Sequence, residues 1–121
     1  MKARAVAKYI KGSPQKARLV IDLIRGRNVN EALAVLATTR KRAAKPIETT
    51  LRSAIANAEQ KADQFNVNFD VDRLMVSEAT VDLGPTKYRR RVRSAPMGRA
   101  YRERRWQSHI TIEVETLKQD E

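Results

Sequence analysis

The stretch that decides the fold is residues 84–106, which reads GPTKYRRRVRSAPMGRAYRERRW. It holds nine Lys or Arg, one acid and three of the six aromatic residues of the chain, so it cannot fill a hydrophobic core. Strand-like sequence flanks it on both sides, at Leu74–Leu83 and Ser108–Leu117. A polar insert between two strands that can pair predicts a hairpin arm. The arm has a net charge of +8, and these like charges would repel one another in solution. We therefore expect the arm to bind a polyanionic partner.

The charge outside this arm (residues 84–106) is unevenly distributed. Residues 1–27 carry eight basic groups and one acid, a net of +7, whereas the other 71 residues carry 8 bases and 12 acids, a net of −4. The whole chain has a net charge of +11 and a pI of about 10.6, which is typical of nucleic-acid-binding proteins. Two basic zones on a mildly acidic body favour a docked surface plus an arm.

Length and composition exclude several classes of protein. A chain of 121 residues with 41% hydrophobic residues predicts one domain, covering residues 1–121, with a modest core. The absence of cysteine excludes disulfides and thiolate chemistry. No apolar run approaches the ~20 residues of a membrane span, so we expect no membrane partner. The N-terminus has no hydrophobic signal core and predicts a cytosolic protein, although its basic, acid-poor start also fits an organellar transit peptide.

The first part of the chain predicts a strand followed by a helix. Ala3–Ile10 has β character, and we expect Lys2, Arg4, Lys8 and Lys11 to face outward. Ser13 and Pro14 are strong helix-start residues, since a serine can cap free N–H groups and proline suits the first helical position. The apolar stripe of this helix consists of residues at helical spacing, namely Ala17, Val20, Ile21 and Ile24. Gly26 fits the left-handed position after the helix.

Two further helices are predicted before the arm. Asn30 can cap a short helix over Glu31–Ala37. A longer helix is predicted over Arg40–Asp63, where Pro46 implies either a kink or an irregular preceding turn. The basic run Arg40–Arg42, with Lys45, is either a solvated face or an RNA contact, and the sequence leaves both open.

Together the elements predict an α+β fold. In the polar loop after the third helix, Asp70 and Asp72 have the spacing of a divalent-metal pair, but two loop carboxylates alone do not predict a metal site. In the last strand Ile110, Ile112 and Val114 alternate with polar residues. We expect three helices packed on one face of a three-stranded antiparallel sheet, with two strands extending past the body as a long basic β-hairpin.

The sequence offers little support for an enzyme. His109 is the only histidine, and no nucleophile or carboxylate is placed by the sequence to partner it. Phosphate-binding glycine loops and metal-ligand clusters are also missing from the sequence. We therefore expect no catalytic residues, no metal, no cofactor and no enzyme activity, and we expect His109 to have a structural or RNA-facing role.

The arm carries groups suited to RNA. Arginine supplies forked donors for phosphate oxygens, and aromatic rings stack on unpaired bases. Ser94–Gly98 holds the turn signals and the least charge, so we expect the tip there. The residues predicted to bind RNA are those of the two basic zones, with His109: Lys2, Arg4, Lys8, Lys11, Lys16, Arg18, Arg25, Arg27, Lys87, Tyr88, Arg89, Arg90, Arg91, Arg93, Arg99, Tyr101, Arg102, Arg104, Arg105, Trp106 and His109. Ser13 joins this set only through the resemblance of its motif to a known family.

Five motifs in order resemble the bacterial large-ribosomal-subunit protein L22 family. They are Ser13-Pro14-Gln15-Lys16-Ala17-Arg18-Leu19-Val20 with Ile24-Arg25-Gly26, Ser53-Ala54-Ile55-Ala56-Asn57-Ala58, Gly84-Pro85, Gly98-Arg99-Ala100 and Ser108-His109-Ile110-Thr111. The resemblance covers nearly the whole chain and implies the fold predicted above. At the tip, Arg93–Met97 departs from the pattern that the family usually has before Gly-Arg-Ala. Compared with the family, the arm of this chain is about two residues longer.

The resemblance also implies a function. It implies a structural constituent of the large subunit that binds large-subunit ribosomal RNA, aids early assembly and extends its hairpin to line the polypeptide exit tunnel. Its implied partners are ribosomal RNA, neighbouring ribosomal proteins and the nascent polypeptide, with no homo-oligomer, in the cytoplasm. The tip residues implied to face the tunnel are Arg93, Ser94, Ala95, Pro96, Met97 and Gly98.

An architectural DNA-binding protein is the alternative from a different class. Such proteins use basic β-ribbon arms with a proline wedge, and Pro96 supplies a candidate wedge. They generally work as dimers with paired arms, so a monomer in solution would count against this alternative.

Overall fold

The computed structural model describes residues 2–66, 70–85, 90–94, 96–98, 100–104 and 106–116. The helices are α1 (Pro14–Ile24), α2 (Val29–Thr38) and α3 (Ala44–Gln64). The strands are β1 (Lys2–Lys11), β2 (Leu74–Leu83), β3 (Arg90–Ser94), β4 (Ala100–Arg104) and β5 (Gln107–Thr116). Short 3₁₀ turns lie at Val71–Arg73 and Pro96–Gly98.

The body is a three-stranded antiparallel sheet in the order β1-β5-β2. The central strand β5 buries Ile110, Ile112 and Val114, which confirms the alternation read from the sequence. Its other face carries half-buried polar residues such as Thr111 and Glu113. Because only one face is apolar, the helices pack on that face alone.

All three helices contribute to one core. From α1, the predicted stripe of Ala17, Val20, Ile21 and Ile24 is buried. From α3, Ile47 and Leu51 are fully buried, and its buried alanines let the helix approach the sheet closely. The predicted α+β class, with three helices on a three-stranded antiparallel sheet, is confirmed.

Both edge strands contain an irregularity that decides which residues reach the core. In β1 the core face carries small residues, Ala3 and Ala5, while Val6 is 43% exposed. In β2 the pairing with β5 shifts between Val76 and Glu78. An extra residue in one strand reverses the side-chain parity, and this lets both Val76 and Ala79 face the helices.

The first two helices begin differently from the prediction. Ser13 lies at the N-cap of α1, but its side chain makes no capping hydrogen bond, and only its carbonyl accepts from the Ala17 N–H at 3.1 Å. The cap of α2 is Asn28, whose Oδ1 accepts from the Asn30 N–H at 2.9 Å. The prediction of Asn30 as the cap was therefore wrong by two residues, because two asparagines flank the same turn and both suit the role.

The third helix begins at Ala44 rather than Arg40. Pro46 therefore lies in the first turn, where a missing N–H costs no intrahelical hydrogen bond, and residues 40–43 form the preceding turn. Of the two alternatives for Pro46, the structure supports the irregular turn. One turn later Thr50 Oγ1 donates to the Pro46 carbonyl at 2.8 Å, which satisfies a buried hydroxyl.

The arm contains its own two-stranded ladder. Strands β3 and β4 pair only with each other among the described residues, whereas β2 ends at Leu83 and β5 begins at Gln107. The expected run of body strands into the arm is thus interrupted at the root. The last pair before the tip is Ser94 with Ala100, and Met97 and Gly98 adopt positive φ angles of 64° and 73°. The turn lies where the sequence predicted it.

Candidate nucleic-acid interface

Two predicted RNA-binding arginines, one in α1 and one directly after it, are bound to the sheet. Arg18 donates from Nε and Nη2 to the Val81 carbonyl, at 3.2 and 3.0 Å. Arg25 donates in the same way to the Ala79 carbonyl, at 3.1 and 2.7 Å. These carbonyls lie in β2, an edge strand that would otherwise present unpaired groups. The sequence could not show this internal role, and RNA contact by these two arginines stays a prediction.

The opposite edge of the sheet is held by α3. Asn57 Nδ2 donates to the Arg4 carbonyl at 3.0 Å, and Lys61 Nζ donates to the Lys2 carbonyl at 2.7 Å. Both carbonyls belong to β1, the other edge strand. Helical side chains therefore bind carbonyls on both edges of the sheet, which limits edge-to-edge pairing with other chains.

The remaining basic residues of the first zone lie at the surface. Lys2, Arg4, Lys8 and Lys11 are exposed on β1 as predicted, and Lys16 and Arg27 are exposed around α1. Lys2 makes one long ion pair, with its Nζ 3.8 Å from Glu113 Oε1. Within residues 2–66 and the other described ranges, the side chains of Lys11 and Lys16 have no ion pair or hydrogen bond.

These free lysines border a groove of about 470 Å³. The groove lies between the end of β1, the start of α1 and the turn before α3. Lys41 and Arg42 also line it, and the sequence left these two residues open between a solvated face and an RNA contact. In the sequence, only their positive charge relates Lys41 and Arg42 to the basic zone of residues 1–27. The tertiary fold brings these two segments together.

His109 has a structural contact. The Tyr9 N–H donates to its Nδ1 at 3.1 Å, and the two rings pack edge to face with centroids 5.0 Å apart. Because Nδ1 accepts, the neutral ring carries its proton on Nε2. Tyr9 itself has a positive φ of 60° at the irregularity of β1. The histidine thus holds the bulge of β1, and RNA contact by His109 stays a prediction.

The carboxylates of the loop before β2 are used within the fold. Asp70 Oδ1 accepts from the Asp72 N–H at 3.0 Å, and Asp72 Oδ1 accepts from Asn30 Nδ2 at 2.7 Å. Across the described ranges, no cluster of three or more His, Cys, Asp or Glu could hold a metal ion. In those same ranges, no helix has the length and apolar character to cross a membrane.

The arm joins the body where three segments meet. The Gly84 N–H donates to the Gln107 carbonyl at 2.8 Å, and the Gly12 N–H donates to the Trp106 carbonyl at 3.0 Å. Ser108 Oγ donates to the Gly12 carbonyl at 3.1 Å. A Cβ on Gly84 would lie 3.1 Å from the Gln107 Cβ, so a larger residue here would force its neighbours to shift slightly. These bonds fix the root from which the arm departs.

Several predicted arm residues are placed by their backbone. Arg90, Arg91, Arg93 and Ser94 lie in β3, and Tyr101, Arg102 and Arg104 lie in β4. At the tip Met97 is 95% exposed, and at the root Trp106 is 42% exposed. Six predicted residues lie outside the described residues: Lys87, Tyr88, Arg89, Ala95, Arg99 and Arg105.

The fold and its charges define a small α+β protein with a basic hairpin arm, and the comparisons with known proteins name the family. The family described as Ribosomal protein L22p/L17e matches residues 5–115, and the chain belongs to this family. It is therefore a structural, non-enzymatic component of the large ribosomal subunit, located in the cytoplasm in bacteria.

Curated relatives agree with this assignment. The large ribosomal subunit protein uL22 of Solibacter usitatus is 54% identical over 114 residues, covering 94% of this chain and 96% of the relative. That of Halothermothrix orenii is 52% identical over 119 residues, covering 98% and 99%. That of Desulfitobacterium hafniense is 46% identical over 117 residues, covering 97% and 96%.

Proposed function

We propose that this chain binds large-subunit ribosomal RNA through two basic surfaces and extends its arm to line the polypeptide exit tunnel. The first surface consists of the exposed cations of the basic zone of residues 1–27 other than Arg18 and Arg25, which bind carbonyls of β2, and the second is the arm. On this proposal the body anchors the protein on RNA early in subunit assembly, and the arm reaches the nascent polypeptide. Family membership favours this function over the DNA-binding alternative.

The observation that carries the proposal is the register of the arm. Arg90 lies opposite Arg104 in the ladder, and the single acid, Glu103, lies opposite Arg91. Like charges at directly opposite positions destabilise a strand pair, and an isolated two-stranded ribbon is marginal in water. A ladder with a net excess of arginine therefore needs an external polyanion, and the phosphates of folded RNA supply one.

The first experiment measures RNA binding by the full-length chain. We expect tight binding to large-subunit ribosomal RNA and weaker binding to random duplex DNA at the same salt concentration. The logarithm of the affinity for RNA should fall with the logarithm of salt with a slope of about −0.7 to −0.9 per neutralised phosphate. Equal affinity for the two nucleic acids would contradict the proposal.

A second experiment tests whether the tip of the arm contacts the nascent chain in the exit tunnel. Met97 is almost fully exposed at the tip, so a photo-crosslinking substitution there, Met97→p-benzoylphenylalanine, should leave the body intact. In ribosomes that carry a stalled nascent chain, the tip variant should crosslink to that chain. The matched control places the same probe at Phe65, which is 62% exposed at the end of α3. Equal crosslinking from both positions would contradict the tunnel assignment.

A further inference from the structure

We infer that the groove between β1, α1 and the turn before α3 holds one unstacked nucleotide of the bound RNA. This inference rests on the proposed RNA-binding function and specifies the part of the RNA that the body recognises. The groove has a volume of about 470 Å³, within the range of roughly 300–1,000 Å³ typical of small-ligand sites.

The floor of the groove is apolar. Ala17 and Ile110 are buried beneath it, Ile10 is half-buried at its side, and Leu19 is 55% exposed. The polar group of Ser108 is already satisfied, because its Oγ donates to the Gly12 carbonyl. The floor thus offers an aliphatic surface that gains free energy when a flat, weakly hydrated group covers it.

Four cations line the groove. Lys11 and Lys16 come from β1 and α1, and Lys41 and Arg42 come from the turn before α3. No carboxylate is among the described residues that line it, and none of these four side chains has an ion pair or hydrogen bond to another described residue. They contrast with Arg18, the residue before Leu19 on the same helix, which is bound to β2.

This combination matches an extruded nucleotide better than a duplex backbone. A paired RNA helix presents phosphates and 2′-hydroxyls but no free base face, so it would leave the aliphatic floor uncovered. An unstacked nucleotide can place its base face on the floor while its two flanking phosphates meet the cations that line the groove. The planar guanidinium of Arg42 adds a surface on which a base can stack.

The test compares two leucines of α1. Leu19 lines the groove, whereas Leu23 lies one turn further on, is 42% exposed and does not line it. With the full-length chain and large-subunit ribosomal RNA, Leu19→Ala should weaken binding about fivefold to tenfold, because the base loses much of the aliphatic surface that it covers. Leu23→Ala should change it by less than about twofold, as for an ordinary surface substitution.

A second comparison addresses the cations. The double variant Lys41→Ala/Arg42→Ala should reduce the salt slope by about 0.7 for each single-strand phosphate that is no longer neutralised. Lys45→Ala removes a nearby exposed charge that does not line the groove, and it should leave the slope unchanged. A photo-crosslinker introduced as Leu19→p-benzoylphenylalanine should mark one unpaired nucleotide.

The outcomes of these experiments distinguish failure of the nucleotide site from failure of RNA binding as a whole. Equal effects of the two leucine variants, or a crosslink from position 19 into a protein of the assembled subunit, would overturn the nucleotide site while leaving RNA binding intact. If the unmodified chain fails to bind ribosomal RNA, the proposed function and the nucleotide site both fail. A crosslink spread evenly along duplex RNA would also overturn the site.

Discussion

The arginines and the lysines around α1 have the same charge but different surroundings. Arg18 and Arg25 each direct two donors at one carbonyl of the edge strand β2. Lys11 and Lys16 lie a few residues away and have no partner among the described residues. From this difference we expect that charge alone does not identify the cations that bind RNA, because some of them complete the protein's own sheet.

The chemistry of the two side chains explains the division. A guanidinium is planar and holds its donors in a rigid fork, so it can satisfy an exposed backbone carbonyl with two bonds. An ammonium on a flexible stem is a compact charge, which suits a phosphate that approaches from solvent. Lys61 shows that the division is not absolute, since its Nζ binds the Lys2 carbonyl.

The largest expected effect on stability comes from removing the two arginines that bind β2. The double variant Arg18→Ala/Arg25→Ala should lower the free energy of unfolding by about 2 kcal/mol, at roughly 1 kcal/mol for each carbonyl left unpaired. The matched variant Lys11→Ala/Lys16→Ala should change it by less than about 0.5 kcal/mol. Urea unfolding followed by circular dichroism measures both values. Equal losses in the two variants would show that the arginine bonds do not stabilise the edge.

We expect a smaller loss of stability at the other edge of the sheet, where side chains of α3 bind carbonyls of β1. Asn57→Ala/Lys61→Ala removes the two donors from α3 to β1 and should cost about 1 kcal/mol, because these bonds are exposed. Gln60→Ala, an exposed change on the same helix, serves as the control and should be neutral. If the Lys61 bond is internal, its removal should leave RNA affinity unchanged, and filter binding measures that affinity. A clear drop in affinity would place Lys61 on the RNA surface instead.

The smallest expected effect on stability comes from removing β3 and the tip of the arm. Deletion of residues 90–99 should change the free energy of unfolding by less than about 0.5 kcal/mol, since the described arm strands pair only with each other. The shortened chain should still enter large subunits through its body, and sedimentation of reconstituted particles checks this. Unfolding of the shortened chain would show that the arm belongs to the core.

The sequence predicted the parts of the fold that depend on local periodicity. The stripe of α1 and the alternation of Ile110, Ile112 and Val114 were correct because each pattern reports a single buried face. The bulge of β2 and the alanine face of β1 were not predicted. A bulge has no fixed sequence signature, and alanine has a low strand propensity, so it does not mark the buried face of a strand as valine or isoleucine does.

Helix starts and tertiary contacts were the weaker predictions. Asn28 and Asn30 are chemically equivalent caps, and the chain chooses between them through its packing. The bonds from Arg18 to Val81 and from Asn57 to Arg4 join residues that are 63 and 53 positions apart. Such contacts depend on which strand forms the sheet edge, so charge patterning found the basic surfaces but could not divide their residues by role.

The measurement that tests the account most directly is the salt dependence of ribosomal RNA binding. The variant Lys11→Ala/Lys16→Ala/Lys41→Ala/Arg42→Ala should reduce the slope by about 2 to 3, at roughly 0.7 for each phosphate that is no longer neutralised. The variant Arg18→Gln/Arg25→Gln, measured at a temperature where circular dichroism shows that it is folded, should keep the slope of the unmodified chain. A slope reduced equally in both variants would contradict the division between cations that bind RNA and cations that hold the sheet.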